Sequence, residues 1–382
     1  MKQATFLFYI GVFGLILFEI SNVYFIMPMP GSQEMKSLDA AYFFYTWRWF
    51  FRVFFLTLLI IGFIKSSWKR KWVPFVLIIL TGVIIYVINF QMSADHMFYQ
   101  PSKILMAQAS ENKVDSQRLV IGVVVNEEAK AYPIQFLGYH HQVMDTIGGK
   151  PAMITYCTVC RTGRVYEPVI NGRYEKFRLV GMDLFNAMFE DESTKSWWRQ
   201  ATGEAVAGKL KGTGLPEIYS TQTTLKTWLG LYPDTKIMQP DPVYKSSYDT
   251  LFNYEKGLSR KKLTGTDSLS WKKKSWVVGV KLGGQARAYD WNQLKNKMLI
   301  EDTLAGKELF IFLASDSSSF FAFEKSGLKG KVRVEKDTIF LGEKRFRLDG
   351  KGIDTSFQLL EVPAYQEFWH SWKSFHSGTG RY

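Results

Sequence analysis

The residues best suited to chemistry are Cys157 and Cys160, the only two cysteines of the 382-residue chain. They stand in the run AMITY, CTVC, RTGRV, which reads as strand, tight turn, strand. Two thiols at this spacing serve as a redox couple, as a disulfide or as soft metal ligands. A thioredoxin-type couple wants its first cysteine at a helix N-terminus, where the dipole stabilises thiolate, yet here Arg161 leads into a strand. A disulfide suits an oxidising compartment but gains little from closing so short a loop. A metal site needs further ligands. The chain has no second cysteine pair, so a closed four-thiolate zinc site is excluded within one chain. His140 or His141 together with Glu204 would complete a thiolate and imidazole site with an open position, and adjacent histidines point apart, so one of them suffices. The expected metal ligands are His140, Cys157, Cys160 and Glu204, and the expected ion is copper or zinc.

The elements that must hold these residues form an internal repeat. VIGVVVNEEAKAYPIQFLGYHHQVMDTIGGKPAMITY from Val120 aligns without a gap to VVGVKLGGQARAYDWNQLKNKMLIEDTLAGKELFIFL from Val277. Gly122 meets Gly279, Tyr132 meets Tyr289, Asp145 meets Asp302, and TWLGLYPDT from Thr227 echoes SWKSFHSGT from Ser371. Such a pattern predicts two pseudo-repeated lobes of one α+β, β-rich unit, at 118–240 and 275–382, joined by a polar segment at 241–274. The repeats differ where chemistry would sit. Cys157 and Cys160 face Ala314 and Ser317, and His140 and His141 face Lys297 and Met298. Scaffold requirements are common to both repeats, so the first is the expected site-bearing one. It also carries an extra stretch from Met182, with the acidic run Glu190–Glu192 and the pair Trp197 and Trp198, which packing explains better than a site.

Ahead of the repeat lies a membrane module, residues 1–90, followed by a membrane-proximal linker at 91–117. Apolar stretches near Thr5–Met27, Ala41–Ile64 and Trp72–Phe90 each reach the roughly 20 residues that a helix needs to cross a bilayer. Cleavage of the first as a signal peptide is disfavoured by its length and by Glu19. The loop holding Lys65, Lys69, Arg70 and Lys71 should be cytoplasmic, with the N-terminus beside it. Three crossings then place the remainder outside the cytoplasm, and the expected location is the bacterial inner membrane with the C-terminal domain in the periplasm. Glu19, Arg48 and Arg52 fall inside these spans, where charge is costly, and are expected to form a structural ion pair locking two helices.

Composition closes off several classes. A hydrophobic share of 47% and 12 prolines exclude a disordered chain, and two cysteines exclude a disulfide framework. The first ninety residues hold 8 Lys or Arg against 3 Asp or Glu, the rest 40 against 32, spread without a basic stripe. Nucleic acid is not an expected partner; the lipid bilayer is, together with an unidentified protein. Phosphate-binding glycine loops, G-x-S-x-G elbows and H-E-x-x-H helices are missing from the sequence.

Several ordered blocks resemble the bacterial family catalogued as domain of unknown function 3179. They are AKAYP from Ala129, YHHQVMDTIGG from Tyr139, YCTVC from Tyr156, WWRQATGEA from Trp197, PDT from Pro233 and the closing FWHSWKSFH. The resemblance covers most of 118–382. It places the family's histidine on His140, its cysteines on Cys157 and Cys160 and its TGEA glutamate on Glu204. His141 stands where the family has Glu, Met144 where it has Asn, and Thr158 where it has Pro. No activity comes with the resemblance, so whether the chain is an enzyme stays open. The sequence therefore predicts three transmembrane helices displaying a two-lobed domain, with metal handling or metal-assisted chemistry at the cysteine turn. A non-catalytic interaction module with a structural disulfide is the second reading, and a thiol redox protein the third.

Overall fold

The computed structural model describes residues 2–101 and 103–382. The chain divides into two compact units. Met1–Tyr99, Lys176–Arg199 and Glu204–Thr213 make one, and Gln100–Glu175, Gln200–Gly203 and Gly214–Tyr382 make the other.

In the first unit, helix α1 spans Lys2–Tyr24, α2 Leu38–Thr46, α3 Arg48–Lys65 and α4 Trp72–Tyr86. Helix α1 and the helical run Trp72–Gln91 are each long and apolar enough to cross a membrane. The expected middle span is broken. Helices α2 and α3 meet at an angle of 62°, so among the described residues there are two such helices, or three if the bent pair counts as one. The cause lies in what α2 packs against. Its Ala41, Tyr42 and Tyr45 leave the direction of α3 to cover Val180, Met188, Trp197 and Val206 on a four-stranded sheet. Burying that face offsets the helical hydrogen bonds lost at the bend. The sheet is a meander of Phe177–Asp183, Asn186–Asp191, Trp197–Arg199 and Ala205–Ala207. Most of it falls in the stretch from Met182, and Trp197 is a packing residue, against Tyr42 and Tyr45 of α2.

Between α1 and α3 the backbones approach closely at glycines. A Cβ on Gly11 would lie 2.4 Å from the Leu59 nitrogen, and one on Gly62 2.2 Å from that of Phe8. Farther along, Arg52 donates from Nε to Glu19 Oε1 at 2.6 Å and from Nη2 to Glu19 Oε2 at 3.0 Å and Asn89 Oδ1 at 2.8 Å. Asn89 returns a bond from Nδ2 to Glu19 at 3.0 Å, so three helical segments share one network. Arg48 stands outside it, donating instead to the Tyr45 carbonyl at 2.6 Å.

The second unit is β-rich and holds several small sheets. Alternating Val and Ile in Leu119–Val125 pair antiparallel with Glu128–Pro133, and Thr221–Thr224 and Lys236–Met238 extend that sheet on either side. Helix Ile134–His140 follows, then an antiparallel sheet of Gln142–Ile147, Lys150–Cys157 and Thr162–Tyr166. Later in the chain, Trp276–Leu282 pairs with Gln285–Asp290 and is flanked by Ala364–Phe368, while Gly380–Arg381 runs parallel to Gln285–Asp290. Helix Trp291–Lys297 comes next, with Leu299–Leu304, Lys307–Leu313 and Phe320–Glu324 after it. The polar segment after 241 is partly helical, and it buries Tyr248 and Tyr254 in the core of the 119–166 region.

Candidate functional site

Strands Lys150–Cys157 and Thr162–Tyr166 are joined by the four residues Thr158–Arg161, with Cys157 paired to Thr162. Closing so short a connection needs a left-handed residue, and Arg161 takes φ 57°. Both cysteines are buried and no disulfide joins them. Burial pushes the Cys160 thiol well above the usual range, and the hydrogen bond from its neighbour Cys157 acts in the same direction. Thiolate at Cys160 is therefore disfavoured, the reverse of an activated nucleophile.

The turn is gripped by residues more than 90 positions away. Phe368 donates its backbone N–H to the Cys160 carbonyl at 2.9 Å. Lys274 Nζ donates to the Val159 carbonyl at 2.8 Å and to that of Leu263 at 2.6 Å. His370 Nε2 lies 3.3 Å from the same Val159 oxygen. Burial pulls the Lys274 ammonium below its ordinary range, and it holds His370 down at about 3, with Lys274 adding to the effect. Arg161 donates from Nε to Gln366 Oε1 at 2.8 Å and from its Nη atoms to the carbonyls of Tyr254 and Glu255 at 3.2 and 2.9 Å. Its guanidinium stacks 3.6 Å above the ring of Trp276.

His140 ends helix Ile134–His140, and its Nε2 lies 2.7 Å from the Tyr248 hydroxyl, within an aromatic cage of Tyr139, Tyr244 and Tyr248. His141 is the left-handed residue that stops the helix, with φ 61°, and its Nδ1 bonds the Tyr156 carbonyl at 2.8 Å. Burial lowers its pKa to about 4, so it is neutral at pH 7. Glu204 is exposed and stands in the first compact unit. Among the described residues, no group of three or more His, Cys, Asp and Glu gathers closely enough to hold a metal ion. Cys157 and Cys160 are hydrogen-bond neighbours, while His140 pairs with the Tyr248 hydroxyl.

A cavity that the sequence did not announce lies beside His140. Its volume is about 740 Å³, and Arg118, Gln135, Phe136, Tyr248 and Phe252 line it, with Lys113, Asp115, Lys245 and Asp249 as its other charged residues. That is within the size range of small-molecule sites. Arg118 is only 6% exposed. Its Nε donates to Gln135 Oε1 at 3.0 Å and its guanidinium lies 5.0 Å from the centre of the Phe252 ring. Nη2 makes no hydrogen bond, and the nearest carboxylate, Glu255 Oε1, is 3.6 Å away and equally unbonded. Desolvation lifts Glu255 to about 7, against the pull of Arg118, so near neutrality the acid only partly compensates the buried cation. The signal that could have located this cavity is the tyrosine spacing of 244, 248 and 254, in a segment that reads as polar and unstructured.

No curated protein sequence and no solved structure matches the chain. A family model does, over residues 100–379, which takes in the cysteine turn, His140 and the cavity. The chain belongs to the DUF3179 family, described as proteins of unknown function.

Proposed function

We propose that the chain is a membrane-anchored, non-catalytic binding module whose extracytoplasmic domain takes a small organic acid with an apolar body. Two copies of one α+β unit make that domain, at 118–240 and 275–382, with 241–274 contributing a wall of the binding cavity. The observation that carries the reading is Arg118, a buried guanidinium with unused N–H donors on a cavity lined by Phe136, Tyr248 and Phe252. A guanidinium of this kind recognises a carboxylate through paired hydrogen bonds, and the rings accept the apolar part. His140 fixes the Tyr248 hydroxyl and so shapes the cavity rather than a metal sphere. Matching element order and matching helix stops at His141 and Met298, both φ 61° and ψ −26°, support the duplication.

The test is a thermal-shift titration of the full chain in detergent with phenylacetate, octanoate and succinate. Phenylacetate or octanoate should raise the melting temperature and succinate should not, and Arg118→Gln should abolish the shift. If no acid acts, or if Arg118→Gln responds like the parent, the reading fails. Copper or zinc is displaced by this proposal because His140 is committed to Tyr248 and Glu204 is exposed. Stoichiometric metal in protein purified without chelator, lost in a Cys157→Ser/Cys160→Ser variant, would restore it.

A further inference from the structure

The first unit contains a second cavity, of about 190 Å³, where the ends of three membrane helices converge. Asn22 comes from the last turns of α1, Arg48 and Arg52 from the start of α3, and Asn89 and Met92 from the end of the run after α4. Tyr45, Ser93, Asp95, His96 and Arg178 complete its polar lining. This is the end of the bundle opposite the basic loop Lys65–Lys71, and the neighbouring Trp47 and Trp49 are 52% and 66% exposed. Exposed tryptophans flanking a membrane helix mark the headgroup level of a bilayer.

Charges in the cavity are unevenly matched. Arg52 is neutralised by Glu19 at 2.6 Å, and Arg178 by Asp95 at 3.0 Å and Glu190 at 2.9 Å. Arg48 has no carboxylate partner among the described residues; it donates to the Tyr45 carbonyl and lies 4.0 Å from the centre of the Tyr45 ring. Asn22 Oδ1 is buried without a hydrogen-bond donor. Three carboxylates thus face three guanidiniums, with two of the carboxylates on Arg178, and among the described residues the cavity offers one guanidinium with no carboxylate in contact and one orphan acceptor. A ligand that satisfies both carries an anionic oxygen beside a hydroxyl.

We infer that this cavity binds the headgroup of a hydroxylated anionic phospholipid, the phosphodiester on Arg48 and a headgroup hydroxyl on Asn22. The phosphate replaces the carboxylate that Arg48 lacks, and the hydroxyl donates to Asn22 Oδ1. Arg52 stays with Glu19 and serves as a wall.

The full chain in nanodiscs of phosphatidylcholine doped with phosphatidylglycerol or phosphatidic acid provides the test, with retained lipid counted by native mass spectrometry. Phosphatidylglycerol should be retained at one molecule per chain in preference to phosphatidylcholine. Arg48→Gln should weaken that retention by about tenfold or more, as expected for loss of a charge-assisted bond. Asn22→Leu, which keeps the cation, should erase the preference for phosphatidylglycerol over phosphatidic acid while both are still retained. Equal retention of all three lipids would overturn the site, as would an Arg48→Gln chain that keeps its phosphatidylglycerol. Binding of soluble glycerol phosphate in detergent, with no headgroup preference in the discs, would overturn its assignment to a lipid.

Discussion

The stretches 119–166 and 276–324 run through the same elements in the same order, yet their tips are held by different chemistry. In each, the helix closes on a left-handed residue, His141 or Met298, and a tyrosine hydroxyl reaches an aspartate, Tyr132 to Asp145 at 2.6 Å and Tyr289 to Asp302 at 2.7 Å. A glycine admits a tryptophan ring in both, Gly122 under Trp228 and Gly279 under Trp372. Each tip is then bound at the start of a helix that lies outside both stretches. The Cys160 carbonyl accepts from Phe368, which opens helix Trp369–Phe375, and Ser319 Oγ accepts from the backbone of Thr224, which opens helix Leu225–Leu231, at 2.9 Å. The contacts are reciprocal, but one tip is thiol and guanidinium and the other is carboxylate and hydroxyl. Asp316 accepts from Thr224 Oγ1 at 2.7 Å, Thr227 Oγ1 at 2.8 Å and the backbone of Ser318 and Ser319 at 2.9 and 2.8 Å. The cysteines thus occupy a docking position that its counterpart fills without any thiol. Position in a shared scaffold, more than the rarity of cysteine, decides what they do.

Removing the anchor of either tip should have the largest effect. Arg161→Ala strips donors from two buried carbonyls and from Gln366, and Asp316→Ala removes the acceptor of three hydroxyls and two amides. Each should cost about 3 kcal/mol or more in denaturant unfolding of the full chain. A small effect from one and a large effect from the other would show that the tips are not equivalent anchors.

The next effect is on pH dependence. The buried His141 imidazole has its pKa lowered from 6.5 to about 4, chiefly by desolvation, so the unfolded chain binds the extra proton between those values. Stability from this group is full above pH 6.5 and falls as the pH drops towards 4, by up to about 3 kcal/mol. His141→Met, which installs the residue of the second stretch, should flatten the acid limb of a melting-temperature profile. Glu255 opposes this over the upper part of the range, because a carboxyl raised to about 7 costs stability as pH rises from 4.5. An unchanged acid limb in His141→Met would assign the acid sensitivity to other groups.

A smaller and symmetric effect should come from the glycines. A Cβ on Gly122 or Gly279 would stand 2.2 Å from the tryptophan ring above it. Gly122→Ala and Gly279→Ala should each cost about 2 kcal/mol, in the range of overpacked cores. Melts of the two variants that differ by several degrees would weaken the structural equivalence of the stretches.

Much of this was legible in the sequence, and what was not has a common cause. Periodic apolar residues revealed the strands, and the alignment picked out Gly122, Tyr132, Asp145 and their counterparts. The turn at Thr158–Arg161 followed from the strand pattern around it. By contrast, Arg161 meets Gln366 across 205 positions, and His140 meets Tyr248 across 108. No local spacing encodes such meetings. The bend between α2 and α3 escaped notice for the same reason: hydropathy reads 41–64 as one span, while the partner that turns α2 aside is a strand beginning at residue 177. A buried ion pair was expected of Glu19, Arg48 and Arg52, but Asn89 enters the network and Arg48 leaves it, because residues sharing a helix face still differ in depth.

The smallest expected effect tests the cysteines themselves. Cys157→Ala/Cys160→Ser carries the residues found at the matching places of the second stretch, Ala314 and Ser317. A buried cysteine behaves as a small hydrophobe, so the alanine leaves little void. The serine hydroxyl is the larger burden, with Ser371, the hydrogen-bond neighbour of the Cys160 thiol, as a mate. The double variant should lose about 1 kcal/mol, bind acids as the parent does and keep the same response to oxidant. Thiol counting on the denatured parent adds a direct reading, with two titratable thiols per chain expected when it is purified under reducing conditions. A loss of several kcal/mol, or loss of acid binding, would mean that the pair forms a bond or a ligand sphere that its counterpart never needs, and the two tips would then differ in function as well as in chemistry.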